Sequence, residues 1–214
     1  MVLNKYRKQA DVLLEPTAEK MSSIDPNLIS LLSLVSAFIA GLFFYLYSPD
    51  RALYVLLGGI FVLLNSIFDA LDGKIAKLTG KDSLRGDFLD HTIDRYADIF
   101  IIGGIVLGPL VKTWIGIFAL VGVLMTSYMG TQADAVGVSR DYGGIAGRAE
   151  RLVLLILISF LFFFLKDTAL VYHHVLGERL DLFDFLMIWF AISGNLTAVY
   201  RGMNTWSSLS KKKK

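Results

Sequence analysis

Residues 69–94 read DALDGKIAKLTGKDSLRGDFLDHTID, and they place acidic residues and glycines at helical intervals. On a helix, residues at these intervals lie on one face. Asp69, Asp72, Gly73 and Ala76 share a face of the first predicted helix, and Gly86, Asp90 and Asp94 share a face of the second. A short polar loop separates the two segments. Because helices joined by a short loop lie antiparallel, each helix can present a pair of carboxylates to the other.

The four carboxylates favour a divalent-metal site. Oxygen ligands of this kind suit Mg²⁺, Mn²⁺ or Ca²⁺, and four carboxylates around one point suggest two ions. One carboxylate inside a membrane helix costs about 2.5–3.5 kcal/mol, so several need cations or water nearby. The alternative is that they cap helix ends or pair with Lys74, Arg85 and Arg95. The same spacing on two helices favours metal binding and catalysis.

The composition predicts an integral membrane protein. Hydrophobic residues make up 55% of the 214 residues, and the mean hydropathy is +0.58. Soluble domains contain about 45–50% apolar residues, and here the excess lies in long runs. There is no cysteine, so a metal site must use oxygen or histidine ligands. The net charge of +2 is small, and we expect membrane lipid rather than nucleic acid as the partner.

The chain is predicted to form a single all-α membrane domain over residues 1–214. Residues 1–22 form an amphipathic helix that lies in the headgroup layer, although a solvated leader is the alternative. Residues 166–182 form a polar connection whose His173 and His174 are surface residues, and residues 211–214 form a basic tail. Six membrane spans are predicted at about 28–47, 52–76, 86–107, 111–133, 152–165 (extendable to Arg148) and 183–200.

The distribution of basic residues predicts the orientation. With six spans, both termini and the loops 77–85 and 134–151 share one side of the membrane. That side carries 16 of the 21 lysine and arginine residues, counting Lys74 with its loop, and the opposite loops carry four. The positive-inside rule therefore makes it cytoplasmic, and the acidic cluster lies near this side.

Residues 69–94 resemble the signature of the CDP-alcohol phosphotransferase family, which reads D-x-x-D-G-x-x-A-R, then eight residues, then G-x-x-x-D-x-x-x-D. Every position matches except one, because Lys77 stands where the family usually has arginine. The resemblance implies six spans with a surface-lying N-terminal helix, and it also implies a homodimer. It further implies that a CDP-linked lipid transfers its phosphatidyl- or archaetidyl-type group to a polar alcohol and that CMP leaves.

The family resemblance also implies roles for individual residues. The metal ligands are Asp69, Asp72, Asp90 and Asp94, holding Mg²⁺ or Mn²⁺ and, by the count of carboxylates, two ions. Asp94 is in addition the general base for the acceptor hydroxyl. The CDP-lipid site contains Pro26, Asn27, Gly73, Lys77, Ser83 and Gly86. Because lysine lacks the bidentate fork of arginine, Lys77 makes a weaker or differently angled pyrophosphate contact.

The acceptor alcohol is less well defined by the sequence. The loop after the fourth span contains Arg140, Arg148 and Arg151, which suit phosphate recognition. Its flanking segments resemble phosphatidylinositol-phosphate synthases and their archaeal counterparts, which act on inositol phosphate. Those enzymes commonly have basic residues where this chain has Gly130 and Gln132. We expect inositol phosphate, then glycerol phosphate, then a non-phosphorylated alcohol.

Two other classes of membrane protein use acidic residues. An intramembrane prenyltransferase holds a pyrophosphate with Asp-rich motifs, but it would need more spans and would lack the DG…G pattern. A divalent-cation transporter is the non-enzyme alternative, but the repeats and broken helices common in transporters are not evident. Metal-dependent release of CMP from a CDP-lipid distinguishes the three classes.

Overall fold

The computed structural model describes residues 7–139, 143–166, 168, 172–175 and 178–212. In chain order its elements are α1 (Arg7–Lys20), α2 (Pro26–Tyr45), a 3₁₀ turn (Pro49–Arg51), α3 (Leu53–Leu78), α4 (Leu84–Leu107), α5 (Thr113–Ala135), α6 (Arg148–Leu165), the strands β1 (Tyr172–Val175) and β2 (Glu178–Asp181), and α7 (Leu182–Lys212). The all-α class is confirmed.

Four of these helices, α2, α3, α5 and α7, are long and apolar enough to cross a bilayer. Large apolar side chains such as Trp114, Phe118 and Phe164 are exposed on the bundle surface, as expected for a multi-pass membrane protein that faces lipid. The helices α4 and α6 contain too many charged residues to qualify by composition. The count of six spans therefore stays a prediction.

Local sequence signals set the helix ends next to the acidic stretch. The Asp25 side chain accepts a hydrogen bond from the Asn27 amide at 2.9 Å and caps α2. At the end of α3, Gly80 has φ of 63°, and the Lys81 amide donates to the Ala76 carbonyl at 2.9 Å. This glycine-dependent cap ends α3 and turns the chain toward α4.

Small residues let the helices pack closely. A methyl group at Gly41 would overlap the Phe100 carbonyl, so α2 and α4 cross almost backbone to backbone. Gly122 and Gly194 bring α5 and α7 together in the same way. The buried core between the helices is aliphatic and aromatic, with Phe44, Phe162, Phe183 and Phe190 among its largest members.

The amphipathic helix α1 packs on the end of the bundle that carries the signature. Ala18 is fully buried against Leu71 and Ile75 of α3, and Lys74 forms an ion pair with Glu15 at 3.4 Å. These contacts fix α1 beside the signature. Residues 1–6 of the predicted surface helix lie outside the described residues.

Two features add to what the sequence predicted. The helix that contains the predicted span 183–200 continues to Lys212, and residues 201–212 contain no proline that would end it. The connection 166–182 contains an antiparallel hairpin in which His173 pairs with Leu180 and His174 with Arg179. Arg140 and the last two lysines of the tail lie outside the described residues. The predicted exposure of the His173 and His174 side chains also lies outside what the structure describes.

Candidate active site

The carboxylates of α3 and α4 meet around one arginine. Arg148 Nη1 lies 2.8 Å from Asp69 Oδ2 and 2.7 Å from Asp94 Oδ1, so a single nitrogen contacts both helices. Asp94 Oδ2 lies 3.2 Å from Arg95 Nη2. Both oxygens of Asp94 therefore face guanidinium groups.

Asp90 lies on the same face of α4. Ligand atoms of Asp90, His91 and Asp94 all lie within 4.8 Å of one another, which makes this trio a candidate metal-binding group. The sequence interpretation did not select His91, although it stands beside Asp90 and its imidazole could add a nitrogen ligand. Its Nε2 lies 3.5 Å from Asp87 Oδ1.

Asp72 is the most buried member of the predicted ligand set, with 5% of its surface exposed. The Ser30 hydroxyl of α2 lies 2.5 Å from Asp72 Oδ2 and 3.2 Å from the Pro26 carbonyl. The start of α2, where the sequence placed Pro26 and Asn27 of the CDP-lipid site, thus lies beside the acidic end of α3.

Arg148 reaches the carboxylates because α6 begins at this residue. The Glu150 side chain accepts a hydrogen bond from the Gly147 amide at 2.9 Å and fixes the first turn of α6. Behind Arg148, the Arg151 guanidinium lies 3.4 Å from Asp98 Oδ2. Three arginines (Arg95, Arg148 and Arg151) and three carboxylates (Asp69, Asp94 and Asp98) therefore form one connected group between α3, α4 and α6.

The remaining residues assigned to the CDP-lipid site lie in the second half of α3 and at the start of α4. A methyl group added at Gly73 would meet no atom within 4 Å, so the space next to Asp72 is open to a ligand. Ser83 caps α4 by accepting from the Gly86 amide at 3.1 Å. Lys77 is exposed at the last turn of α3, and its position leaves the ammonium accessible to an anion from solvent.

The sequence interpretation also missed Arg201. This residue is buried in α7, where it donates to the Thr126 carbonyl at 2.7 Å and to the Gly143 carbonyl at 2.9 Å. It thereby ties the segment before α6 to α5 and α7. A charged residue at the end of the last apolar run was the available signal.

The donor set fits a divalent cation. It consists of carboxylate oxygens and an imidazole, which are ligands for Mg²⁺ and Mn²⁺. Arg148 Nη1 already forms ion pairs with two of these oxygens, Asp69 Oδ2 and Asp94 Oδ1. A metal ion on Asp69 Oδ2 and Asp94 Oδ1 would compete with the guanidinium, because both cations need the same lone pairs.

Comparison with known proteins identifies the family of the chain. Residues 24–196 match the CDP-alcohol phosphatidyltransferase family. The archaetidylinositol phosphate synthase of Pyrococcus horikoshii is 35% identical over 160 residues, which cover 74% of this chain and 82% of the relative.

Solved structures of the phosphatidylinositol phosphate synthase of Mycobacterium tuberculosis share the fold. The form with CDP-DAG bound gives a TM-score of 0.70 at 23% identity and covers 89% of this chain and 92% of that one. The complex with manganese and citrate also has a TM-score of 0.70 at 23% identity, with 89% and 88% covered.

A multi-pass helical fold with an acidic cluster at the ends of two facing helices defines a membrane-embedded transferase. The chain belongs to the CDP-alcohol phosphatidyltransferase family. It is an enzyme of phospholipid biosynthesis that transfers a lipid-linked phosphate group from a CDP-linked lipid to an alcohol.

Proposed function

We propose that this enzyme transfers its lipid phosphate group to inositol phosphate. The observation that carries the proposal is the pair of arginines at the start of α6, Arg148 and Arg151, placed directly behind the signature carboxylates. A phosphorylated acceptor needs such buried cations, and a neutral alcohol does not. The similarity to a synthase named for archaetidylinositol phosphate supports the same acceptor.

Divalent ions, Mg²⁺ or Mn²⁺ and two in number, would be held by Asp69, Asp72, Asp90 and Asp94. When bound, they supply charge neutralisation for the pyrophosphate and for the oxygens around the reacting phosphorus. The carboxylate donor set supports this assignment. His91 is a candidate further ligand because of its distance to Asp90 and Asp94.

Asp94 would act as the base. The acceptor hydroxyl gives its proton to the Asp94 carboxylate, its oxygen bonds to the lipid-side phosphorus, and the bond from that phosphorus to the CMP oxygen breaks. The carboxylate must therefore exchange its contact with Arg148 for one with the hydroxyl. A guanidinium held by three carboxylates has alternative partners when one contact is lost.

The CDP-lipid would enter beside Gly73, where the absence of a side chain leaves room next to Asp72. Pro26 and Asn27 at the start of α2, together with Ser83 and Gly86 at the start of α4, would complete this side. Lys77 would supply a positive charge to the pyrophosphate.

Arg148 and Arg151 would bind the phosphate of the acceptor. The Nη2 atom of Arg148 is buried and has no hydrogen-bond acceptor among the described residues, so it has a donor left for an anion. Glycerol phosphate is the second candidate because it offers the same phosphate. A non-phosphorylated alcohol is third.

In the membrane, we expect all six helices α2 to α7 to span, with α1 in the headgroup layer. The charges of α4 and α6 would then be tolerated because they pair with one another inside the bundle. Both termini and the active site would face the cytoplasm, and two copies of the chain would form a homodimer.

An acceptor panel tests the proposal. Purified protein is given a CDP-linked diacyl or ether lipid, Mg²⁺ or Mn²⁺, and inositol phosphate, glycerol phosphate, inositol or serine, and CMP release is measured. We expect the highest kcat/KM with inositol phosphate and no CMP release without an alcohol. A preference for inositol or serine over both phosphorylated alcohols would contradict the proposed acceptor.

A further inference from the structure

Asp98 is a buried acid outside the family signature. It lies one helical turn after Asp94 on α4 and continues the line of Asp90 and Asp94 on one face. Only 4% of its surface is exposed. A buried carboxylate is strongly unfavourable unless it is paired, so Asp98 needs cationic neighbours.

Its two oxygens face two different arginines. Asp98 Oδ2 lies 3.4 Å from Arg151 Nη2, and Asp98 Oδ1 lies 3.7 Å from Arg148 Nε. Arg151 is also 4% exposed, and among the described residues Asp98 is its only ion-pair partner. Without Asp98, one buried arginine would have no counter-charge and the other would be held only by the signature carboxylates.

The Arg148 guanidinium thus lies between two signature acids, Asp69 and Asp94, on one side and Asp98 on the other. Its Nη1 contacts Asp69 and Asp94, and its Nε lies 3.7 Å from Asp98 Oδ1, which is an ion pair without a hydrogen bond. Both Nε and Nη2 are therefore buried donors with no hydrogen-bond acceptor among the described residues. Because a guanidinium is planar, the carboxylates that face Nη1 and Nε set the direction of Nη2. The direction of the Nη2 donor therefore depends on Asp98.

We propose that Asp98 is a positioning residue that orients Arg148 and Arg151 to receive an anionic group of the acceptor substrate. The inference rests on the proposed function, because it assumes that these arginines meet the acceptor phosphate. Asp98 lies outside the signature, and in this proposal it does not contact the substrates and acts only through Arg148 and Arg151.

Other contacts already hold α6 in the bundle. Leu152, Leu155 and Phe162 of α6 are buried in the main core, and Glu150 caps the first turn of the helix. A role of Asp98 in helix packing alone would change stability without distinguishing between substrates. A positioning role predicts a selective effect on the phosphorylated alcohol.

The test compares Asp98→Asn with Asp50→Asn in the full-length protein. Asp50 is exposed, lies in the turn Pro49–Arg51 between α2 and α3, and is not part of the candidate site. We expect Asp98→Asn to raise KM and the directly measured Kd for inositol phosphate about tenfold, as for loss of one charged contact. The KM for the CDP-lipid and the kcat should change less than about threefold. Asp50→Asn should match the wild type.

A second variant keeps the test decisive if Asp98→Asn does not fold. Asp98→Glu retains the charge, and its KM for inositol phosphate should lie closer to the wild-type value. In an Arg151→Gln background, Asp98→Asn should add less than its single effect, because both changes act on one contact.

Three results would overturn the inference. They are an unchanged acceptor KM in Asp98→Asn, equal changes for both substrates, or full additivity with Arg151→Gln. Failure of the proposed function is visible separately, because the wild-type protein would then release no CMP on addition of inositol phosphate.

Discussion

The two ends of the helix bundle both contain buried acids, but the acids are satisfied in different ways. At the signature end, Asp94 and Asp98 face the guanidinium groups of Arg148 and Arg151. At the opposite end, next to the hairpin, Asp184 accepts hydrogen bonds from the backbone amides of Lys112 at 3.1 Å and Asp181 at 3.2 Å.

The opposite end is built like a helix cap. Asp181 Oδ1 accepts from the amides of Phe183 at 2.8 Å and Asp184 at 3.1 Å and so starts α7. Each of these contacts uses a backbone donor that is fixed by the fold. Such carboxylates have no capacity to exchange partners during a reaction.

The signature end keeps that capacity. Its acids are paired with long side chains, one arginine nitrogen serves two of them, and the space beside Gly73 is open. Side-chain cations can move between anions, whereas backbone amides cannot. The two ends thus differ in the type of partner: the acids around Arg148, where we propose the chemistry, are paired with side-chain cations, and Asp181 and Asp184 are held by backbone amides.

Removal of divalent metal should have the largest effect and should act at one end only. We expect EDTA to lower CMP release about a thousandfold or more, because the carboxylate cluster then lacks the charge that stabilises the pyrophosphate linkage of the donor and the leaving CMP. Added Mg²⁺ or Mn²⁺ should restore the rate. Full activity in EDTA would place the chemistry outside this cluster.

A pair of lysine variants sharpens the comparison. Lys77→Ala should raise the KM for the CDP-lipid about tenfold through the loss of one charged contact. Lys112→Ala, at the opposite end, removes the same charge and should leave both KM values unchanged. Equal effects of the two changes on CMP-release kinetics would show that Lys77 has no specific role.

Asp184→Ala should affect stability and not catalysis. It leaves two buried amides without acceptors, which should lower the free energy of unfolding by about 2 kcal/mol. Thermal or denaturant unfolding in detergent measures this, with Asp184→Asn as a milder variant that keeps one acceptor oxygen. A loss of CMP release per folded molecule would contradict the separation of the two ends.

Stability should also depend on pH through the hairpin. Burial raises the pKa of Asp181 from 3.8 to about 6, and the nearby Asp184 carboxylate adds to this, although backbone hydrogen bonds oppose it. Between these values the folded chain binds more protons than the unfolded chain, so stability should fall as pH rises from about 4 to about 6. Comparing unfolding of the wild type and Asp181→Asn across this range should show a flatter profile for the variant.

Much of the fold was predictable because helical periodicity acts within one segment. The spans predicted at 52–76 and 111–133 agree within about two residues with α3 and α5, and α6 begins at Arg148, the residue to which the fifth predicted segment was extendable. The hairpin was missed because two four-residue strands are too short to show a period of two. The extension of α7 from the predicted span end at 200 to Lys212 was not foreseen, because a helix can continue into polar residues after the apolar run ends.

The candidate site was predictable only in part, for the same reason. Spacing places Asp69 beside Asp72 and Asp90 beside Asp94, since each pair lies on one helix. It gives no information on Arg148, which lies 54 positions after Asp94 and reaches it only through tertiary packing. The ion pair of Asp98 and Arg151 has the same origin and could not be inferred from either helix alone.

The most direct test of the account is the activity of Asp94→Asn. The variant changes one oxygen to an amide nitrogen in the residue that links α4 to Arg148 and that would take the proton of the acceptor hydroxyl. The measurement is the rate at which labelled inositol phosphate enters the lipid phase from a CDP-linked lipid and Mg²⁺, per folded molecule. The account predicts a rate about a thousandfold below that of the wild type with a similar melting temperature. A wild-type rate in Asp94→Asn would contradict it.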